Sequence, residues 1–299
     1  MLHLPLSRAQ LNRQAELRTD EKQRQELEKS GIFYGFFDGK FIVAGEKLRQ
    51  FTRSEKPPVE TETYFLGVDG SGTGHFLWHF LAESSGDYMF QSLRTIARSL
   101  SAQEIGIAVQ GQGLALWHAT HPHCARCAEV TEVADGGYVR KCKAGHQHHP
   151  RTDPAVIVLV KDSSDRILLG HQSSWDEGRF STFAGFVEPG ESFEAAVIRE
   201  VHEEAGVVAS EMTYLGSQPW PFPASVMIAF EALVQDPESA RPDGVEITEI
   251  RWWSREELKR DIASGKVHLP PSISVARAMI NRWYGPTHRE DLSGKESWR

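Results

Sequence analysis

Alternating apolar and polar residues divide the chain into two strand-rich regions. Residues 33–45 read FYGFFDGKFIVAG, and residues 64–80 repeat this pattern around the glycines at 70, 72 and 74. An Asp-Gly pair between two apolar runs is a strong hairpin signal. The GSGTG run is also interpreted as a hairpin turn, because a strand follows it where a dinucleotide-binding loop requires a helix. These patterns predict a small α+β region in the first part of the chain.

Further along, AVIVLV at 155–160 is typical of a buried central strand, and a polar turn leads from it to a second strand, RILLGHQ. Charged residues before position 30 indicate an exposed helix, and apolar residues at helical spacing over 92–120 predict a helix-rich end to the first region. A chain of 299 residues favours more than one domain. We therefore expect an N-terminal α+β domain at 1–120, a Cys- and His-rich segment at 121–150, and a further domain at 151–299.

Composition and charge narrow the class of protein. The net charge of −8 provides no global attraction for polyphosphates or nucleic acid, so an anionic ligand must be met by local donors or bound cations. There is no apolar run of about 18 residues, which excludes a membrane-spanning helix, and the first residues lack a secretory signal. The three cysteines cluster within 124–142, which argues against a disulfide framework. A cytoplasmic location is expected.

The segment GFVEPGESFEAAVIREVHEEAGV at 185–207 carries the candidate chemistry. Ser192 can cap a helix that runs to about Glu204, and Gly206 can end it in the left-handed conformation. Apolar residues predict a buried stripe on this helix, with the glutamates on the opposite side; the stripe comprises Ala195, Ile198, Val201 and Ala205.

Three glutamates of this helix, Glu200, Glu203 and Glu204, are spaced so that their carboxylates crowd together. Hard divalent ions such as Mg²⁺ or Mn²⁺ prefer oxygen ligands and would relieve this repulsion. A solvated, Glu-rich helix face is the alternative interpretation. The nine fixed positions, however, all match the Nudix box, G-x5-E-x7-R-E-U-x-E-E-x-G-U with U apolar, and the segment is identified as a member of that superfamily.

The Nudix resemblance implies an α/β/α sandwich around a mixed sheet. It implies that Glu200, Glu203 and Glu204 bind Mg²⁺ or Mn²⁺, that Arg199 and Glu191 hold the loop and helix together, and that Glu203 or Glu204 acts as general base. Glu246, just before a predicted strand, resembles a late metal-binding glutamate of the superfamily. An ordinary surface charge is its alternative role.

A second motif, SQPWPFP at 217–223, concerns the substrate. Prolines alternating with aromatic residues predict a rigid extended loop, which either packs in the core or stacks on a flat ligand. At this distance from a Nudix box, the string resembles the signature of the NADH pyrophosphatase family. That family hydrolyses NAD(H) to nicotinamide mononucleotide and AMP, and is also linked to the removal of NAD caps from RNA. The resemblance implies substrate contacts at Phe186, Gln218, Trp220, Ser225 and Ala276, and a homodimer.

Two rival functions remain open at this point. One is hydrolysis of another nucleotide, such as ADP-ribose or a sugar nucleotide, which only the SQPWPFP resemblance disfavours. The other is a non-catalytic nucleotide sensor or RNA-binding regulator, which is expected to have lost carboxylates that this chain retains.

The Cys- and His-rich segment predicts a structural zinc site. Cys124 and Cys127 form a C-x2-C pair, and Cys142 follows after fourteen intervening residues. The family has a fourth cysteine a few residues later, whereas this chain has His146, which is the expected fourth ligand. The alternative is a degenerate ribbon whose cysteines are small buried apolar residues.

Overall fold

The computed structural model describes residues 2, 4–84 and 86–296, which form two compact units. The α+β unit comprises Arg8–Thr152 together with Trp220–Ala224. The sandwich unit comprises Met1–Ser7, Asp153–Pro219 and Ser225–Arg299. The three-part division at 120 and 150 stays a prediction.

The α+β unit is built on a mixed six-stranded sheet of order β3-β2-β1-β5-β4, with β6 paired to β2. A three-stranded sheet, β7-β8-β9, follows within the Cys- and His-rich segment. In chain order the elements are α1 (Glu21–Lys29), β1 (Ile32–Phe37), β2 (Lys40–Ala44), β3 (Lys47–Leu48), β4 (Thr61–Val68), β5 (Gly74–Phe80), β6 (Met89–Ser92), α2 (Leu93–Ile96), α3 (Ala102–Thr120), β7 (Thr131–Ala134), β8 (Val139–Cys142) and β9 (Gln147–His148).

Both predicted hairpins of this unit are present. Asp38 and Gly39 adopt positive φ angles of 44° and 74° between β1 and β2, as a two-residue turn of this type requires. The GSGTG run joins the antiparallel strands β4 and β5. The interpretation of that run as a turn is therefore confirmed.

The sandwich unit contains the second mixed sheet, of order β13-β14-β10-β11-β15, with β12 paired to β10. Its central strand β10 runs parallel to β14 and antiparallel to β11 and β12. In chain order the elements are β10 (Asp153–Lys161), β11 (Ile167–Gln172), β12 (Phe183–Phe186), α4 (Phe193–Ala205), β13 (Ala209–Trp220), β14 (Ser225–Val234), β15 (Ile247–Trp253), α5 (Arg255–Ala263), α6 (Val275–Tyr284) and α7 (His288–Asp291).

The apolar run of β10 is buried on both faces, which explains its near-continuous hydrophobicity. Val156 and Val158 pack in a cluster with Val197 of α4. Ile157 and Leu159 point to the opposite cluster, which contains residues of α5 and α6. The sheet is thus covered by helices on both sides, and the predicted α/β/α sandwich with a mixed sheet is confirmed.

The predicted faces of helix α4 are partly wrong, although Val201 and Ala205 are buried and Glu203 is exposed as predicted. Ala195 and Ile198 lie on the exposed side, with Ile198 40 % exposed, whereas the buried residues are Ala196, Val197, Glu200, Val201, Glu204 and Ala205. Two of the glutamates therefore share the sheet-facing side of the helix with the valines. The prediction failed because it placed all three carboxylates in solvent. In the structure, Glu204 accepts a hydrogen bond from a backbone N–H and Glu200 is paired with Arg199.

Candidate active site

Helix α4 begins and ends as its sequence predicts. The Ser192 hydroxyl accepts a hydrogen bond from the backbone N–H of Ala195, 3.2 Å away, and so satisfies a donor of the first turn. Gly206 closes the helix with a φ of 68°, in the left-handed region that favours glycine. These two ends fix the register of the glutamates along the helix.

Arg199 is the centre of the charged cluster on α4. Its guanidinium donates to both carboxylate oxygens of Glu191 at 2.8 and 2.9 Å, which is the bidentate geometry of a strong ion pair. It also donates to Glu200 at 2.7 Å, to Glu203 at 3.0 Å and to the backbone carbonyl of Phe186 at 2.9 Å. Hydrogen bonding to Arg199 lowers the pKa of Glu191 to about 2. One cation thus ties the loop before α4 to two of the candidate ligands.

The carboxylate of Glu200 lies directly against the backbone of Gly185. A Cβ atom added at Gly185 would lie 1.9 Å from the carboxyl carbon of Glu200, so any side chain at that position would displace the carboxylate. Burial raises the pKa of Glu200, Arg199 opposes this shift, and the charges of Glu203 and Glu246 add to it. The first glycine of the motif is therefore needed for close approach.

Glu204 is the most deeply buried of the three glutamates, with 5 % of its surface exposed. Burial raises its pKa to about 8, and the negative charges of Glu246 and Glu200 contribute to the shift. The backbone N–H of Ala184 donates to it at 3.2 Å, which partly offsets the cost of burial. A cation beside this carboxylate would favour its ionised form.

Glu246 lies close enough to Glu200 and Glu204 for its charge to act on both. Its side chain is exposed and accepts a hydrogen bond from Gln172, 2.8 Å away. Glu203 is exposed as well, with 57 % of its side chain accessible. The structure thus brings Glu200, Glu204 and Glu246 together, with Glu203 linked to them through Arg199. Gln172 carries no motif, and nothing in the sequence marked it.

A set of oxygen ligands with excess negative charge suits Mg²⁺ or Mn²⁺. The buried, proton-retaining Glu204 and the crowding of Glu200, Glu204 and Glu246 are what such a cation would relieve. The residues present therefore fit a hard divalent ion.

The predicted substrate residues are spread over both units. Phe186 has 60 % of its surface exposed, whereas Ala276 is buried in α6. Gln218 is fully buried, and its amide donates to the carbonyl of Ile273 at 3.0 Å and accepts from the N–H of Leu6 at 3.2 Å. Ser225 begins β14 opposite Asp153, and Trp220 belongs to the α+β unit.

The four predicted zinc ligands converge in the Cys- and His-rich segment. One ligand atom from each of Cys124, Cys127, Cys142 and His146 lies within 4.8 Å of all the others. The sulfurs of Cys127 and Cys142 are 3.7 Å apart, and Cys124 Sγ is 3.5 Å from His146 Nδ1. A tetrahedral zinc at ordinary bond lengths separates two sulfurs by about 3.8 Å and a sulfur from a nitrogen by about 3.5 Å. The cluster therefore fits zinc.

His148 occupies a different position from His146. Its Nε2 lies 3.1 Å from Cys124 Sγ, which is shorter than the sulfur–nitrogen separation expected of two zinc ligands and is typical of a hydrogen bond. Burial disfavours a thiolate at Cys124, but hydrogen bonds from His148 and from backbone N–H groups outweigh it and lower its pKa to about 5. His148 is thus a hydrogen-bond partner of Cys124, a contact that the spacing of the histidines did not indicate.

In the part of the chain that the structure describes, no helix is both long and apolar enough to cross a membrane.

Comparisons with known proteins identify the family of the chain. Residues 151–271 match the family model described as NUDIX domain. The chain is 39 % identical over 247 residues to a protein named NAD-capped RNA hydrolase NudC from Mycobacterium bovis (strain BCG / Pasteur 1173P2), covering 77 % of each. It is 36 % identical over 197 residues to NAD-capped RNA hydrolase NUDT12 from Homo sapiens, covering 62 % of this chain and 42 % of that protein.

Among solved structures, a NUDIX hydrolase from Nitrosomonas europaea is similar with a TM-score of 0.44 and 19 % identity, covering 58 % of this chain and 94 % of that one. The family match and the identity to the NudC protein extend over the glutamate helix and its flanking strands. The chain therefore belongs to the NADH pyrophosphatase family of Nudix hydrolases.

Proposed function

We propose that this protein hydrolyses the pyrophosphate bond of NAD and NADH, giving AMP and nicotinamide mononucleotide, which is in its reduced form when NADH is the substrate, and that it also removes NAD caps from RNA. The observation that carries this proposal is the cluster in which Arg199 and Gly185 hold Glu200 beside the buried Glu204 and the nearby Glu246. The names of the relatives, NAD-capped RNA hydrolases, and the SQPWPFP motif support the choice of substrate.

We propose that Glu200, Glu203, Glu204 and Glu246 hold Mg²⁺ or Mn²⁺. Such an ion, when bound, offsets phosphate charge and lowers the pKa of an attacking water. Arg199 and Glu191 keep the box loop and helix α4 in register through their bidentate ion pair. The exclusive use of oxygen ligands, crowded and partly buried, supports this assignment.

In the proposed reaction, the oxygen of water forms a bond to one phosphorus while the bridging phosphorus–oxygen bond breaks. The bridging oxygen leaves with the other phosphate, so that the products are two mononucleotides. The proton of the water passes to a carboxylate, for which Glu203 and Glu204 are the two candidates. Glu204 is buried and accepts from Ala184, whereas Glu203 is exposed and bound to Arg199.

For substrate binding, we propose that the exposed ring of Phe186 stacks on the dinucleotide. Gln218 and Ala276 are buried and would shape the wall of the pocket rather than offer exposed side chains. Trp220 and Ser225 are assigned from the family motif.

We also propose a structural Zn²⁺ on Cys124, Cys127, Cys142 and His146, supported by the convergence of their ligand atoms within 4.8 Å and by two separations close to those of a tetrahedral zinc. Three free cysteines gathered in this way suit a reducing compartment, which supports a cytoplasmic location.

A homodimer is proposed from the family resemblance. Sedimentation velocity is expected to give about twice the mass of one 33.6 kDa chain. A sedimenting species of one chain only, at micromolar concentration, contradicts the dimer.

The function is tested by product analysis on NADH, NAD, ADP-ribose and NAD-capped RNA, each with Mg²⁺ or Mn²⁺. We expect nicotinamide mononucleotide and AMP from the dinucleotides, and a 5′-monophosphate end on the RNA. Turnover of ADP-ribose with no turnover of the nicotinamide substrates would reject the proposed substrate class. A lack of hydrolysis with every substrate, although the metal binds, would indicate a nucleotide sensor.

A further inference from the structure

The tip of the hairpin between β13 and β14, Trp220–Ala224, packs within the α+β unit. The rings of Trp220 and Phe222 meet edge to face, with centroids 4.9 Å apart. Both rings are half-buried, so each keeps some accessible surface. The aromatic part of the SQPWPFP motif therefore packs with a part of the chain that lies outside the Nudix box.

Two side chains from α2 and α3 contact this tip. The guanidinium carbon of Arg94 lies 4.4 Å from the ring centroid of Phe222 and 5.9 Å from that of Trp220, within the range of a cation–π contact. Gln112, which is 2 % exposed, donates a short hydrogen bond from Nε2 to the carbonyl of Pro221. The buried amide of Gln112 thus holds the backbone between the two aromatic rings, and the guanidinium of Arg94 contacts the rings themselves.

Only one end of the Gln112 side-chain amide is hydrogen-bonded within the described part of the chain. Its Oε1 is buried, and among the described residues it has no hydrogen-bond partner. An apolar side chain of similar size would avoid the cost of burying that oxygen. The contact that Gln112 provides and an apolar residue cannot is the hydrogen bond to Pro221.

We infer that Gln112 and Arg94 are positioning residues, which fix the Trp220–Ala224 tip and thereby set affinity for the nicotinamide half of the substrate. This inference rests on the proposed function, in which Trp220 contacts the dinucleotide. A flat ring that is fixed before binding loses less conformational freedom on stacking, and so binds a planar ligand more tightly.

The test compares Gln112→Leu and Gln112→Asn with Gln110→Leu. Gln110 lies on the same helix and also hydrogen-bonds a backbone carbonyl, that of Leu66 at 2.7 Å, but it makes no contact with the tip that the structure records. For both Gln112 variants we expect KM for NADH to rise about 5- to 10-fold, as for one lost hydrogen bond, with a smaller change in kcat. KM for ADP-ribose, which lacks nicotinamide, should change little. The unfolding temperature of Gln112→Leu should change little, because the variant removes one buried oxygen that has no partner among the described residues and leaves the Pro221 carbonyl without its donor.

Hydrogen–deuterium exchange over residues 214–228 provides a readout that does not depend on activity. Exchange should become faster in both Gln112 variants and stay unchanged in Gln110→Leu. Arg94→Met should behave like the Gln112 variants, and Arg94→Lys should partly restore the parent behaviour because it keeps the cation. Unchanged exchange in the Gln112 variants overturns the positioning role. A parent protein that does not hydrolyse NADH refutes the proposed function and the claim about affinity, while the exchange experiment still decides whether these residues fix the tip.

Discussion

At the residue scale, Glu204 combines a buried carboxylate with a carboxylate-rich neighbourhood. Substitution of Glu204 by Gln keeps the shape of the side chain but removes its charge. We expect activity on NADH to fall by on the order of 10²-fold or more, as for the loss of a metal ligand or base. The thermal unfolding temperature should not fall, because the neutral amide carries no charge to bury. Glu194→Gln, an exposed change in the first turn of the same helix, is the control and should keep full activity. Activity near that of the parent in Glu204→Gln would refute the assignment.

The same carboxylate makes the metal-free protein sensitive to pH. Glu204 binds its proton more tightly in the folded chain, with a pKa of about 8, than at its ordinary value of 4.5. Between these values the folded state holds more protons than the unfolded state, so its stability falls as pH rises. When a chelator has removed divalent ions, the unfolding temperature of the parent protein should therefore fall as pH rises from 5.5 to 8. The fall over the same pH range should be smaller in Glu204→Gln. An equal decrease in parent and variant contradicts the assignment of the shift to Glu204.

At the element scale, the caps and length of α4 could be predicted from the sequence, but its faces could not. Ser192 acts through its side-chain hydroxyl and Gly206 through its own backbone conformation, and the local sequence predicts both effects well. The burial of Glu200 depends instead on Gly185 and Arg199, which meet it only when strand and helix pack. A hydrophobicity pattern assigns every carboxylate to solvent, and for that reason it misplaced Ile198.

The Cys- and His-rich segment shows the same limit on prediction from the sequence. The positions of Cys124, Cys127 and Cys142 in the sequence were sufficient to predict a site, because ligand spacing is local. Three histidines follow Cys142, and spacing alone does not separate a ligand from a hydrogen-bond donor. The distances from Cys124 differ, with His146 at 3.5 Å, as expected of two zinc ligands, and His148 at 3.1 Å.

These distances make a prediction about zinc. Purified protein should contain about one zinc per chain, measured by mass spectrometry of the metal. His146→Ala should lose most of it. His148→Ala should keep zinc but bind it roughly 10- to 100-fold more weakly, as for other residues that orient a ligand. His149→Ala is the control and should bind normally. If His148→Ala loses zinc and His146→Ala keeps it, then His148 is the ligand and His146 is not. A parent protein without zinc would reject the site.

At the scale of the whole molecule, the chain crosses between its two units more than once. Residues near the start of the sequence pack in the sandwich unit, and the β13–β14 tip packs in the α+β unit. The apolar pattern predicted where the strands of the sheets lie, but it did not predict that these two short segments pack in the other unit. Short segments such as LHLPLS and WPFPA are too brief for periodicity to assign them to a unit.

The early segment should be important for the stability of the sandwich unit. Leu4 is 5 % exposed and packs in the cluster formed with α5 and α6. Leu4→Ala should lower the free energy of unfolding by about 2–5 kcal/mol, as for other buried leucines. Urea unfolding followed by loss of activity measures the effect, and Leu81→Ala, at a 44 % exposed position, is the control. Equal midpoints for the two variants would show that Leu4 contributes no core packing.

The pairing of Leu6 with Gln218 also has a consequence for biosynthesis. The two residues are 212 positions apart, and the N–H of Leu6 donates to the side chain of Gln218. At a translation speed of about 5–20 residues per second, Leu6 is synthesised about 10–40 seconds before its partner. The nascent chain must therefore carry the apolar residues around Leu6 unpaired for that time, and the sandwich unit reaches its native contacts only late in translation.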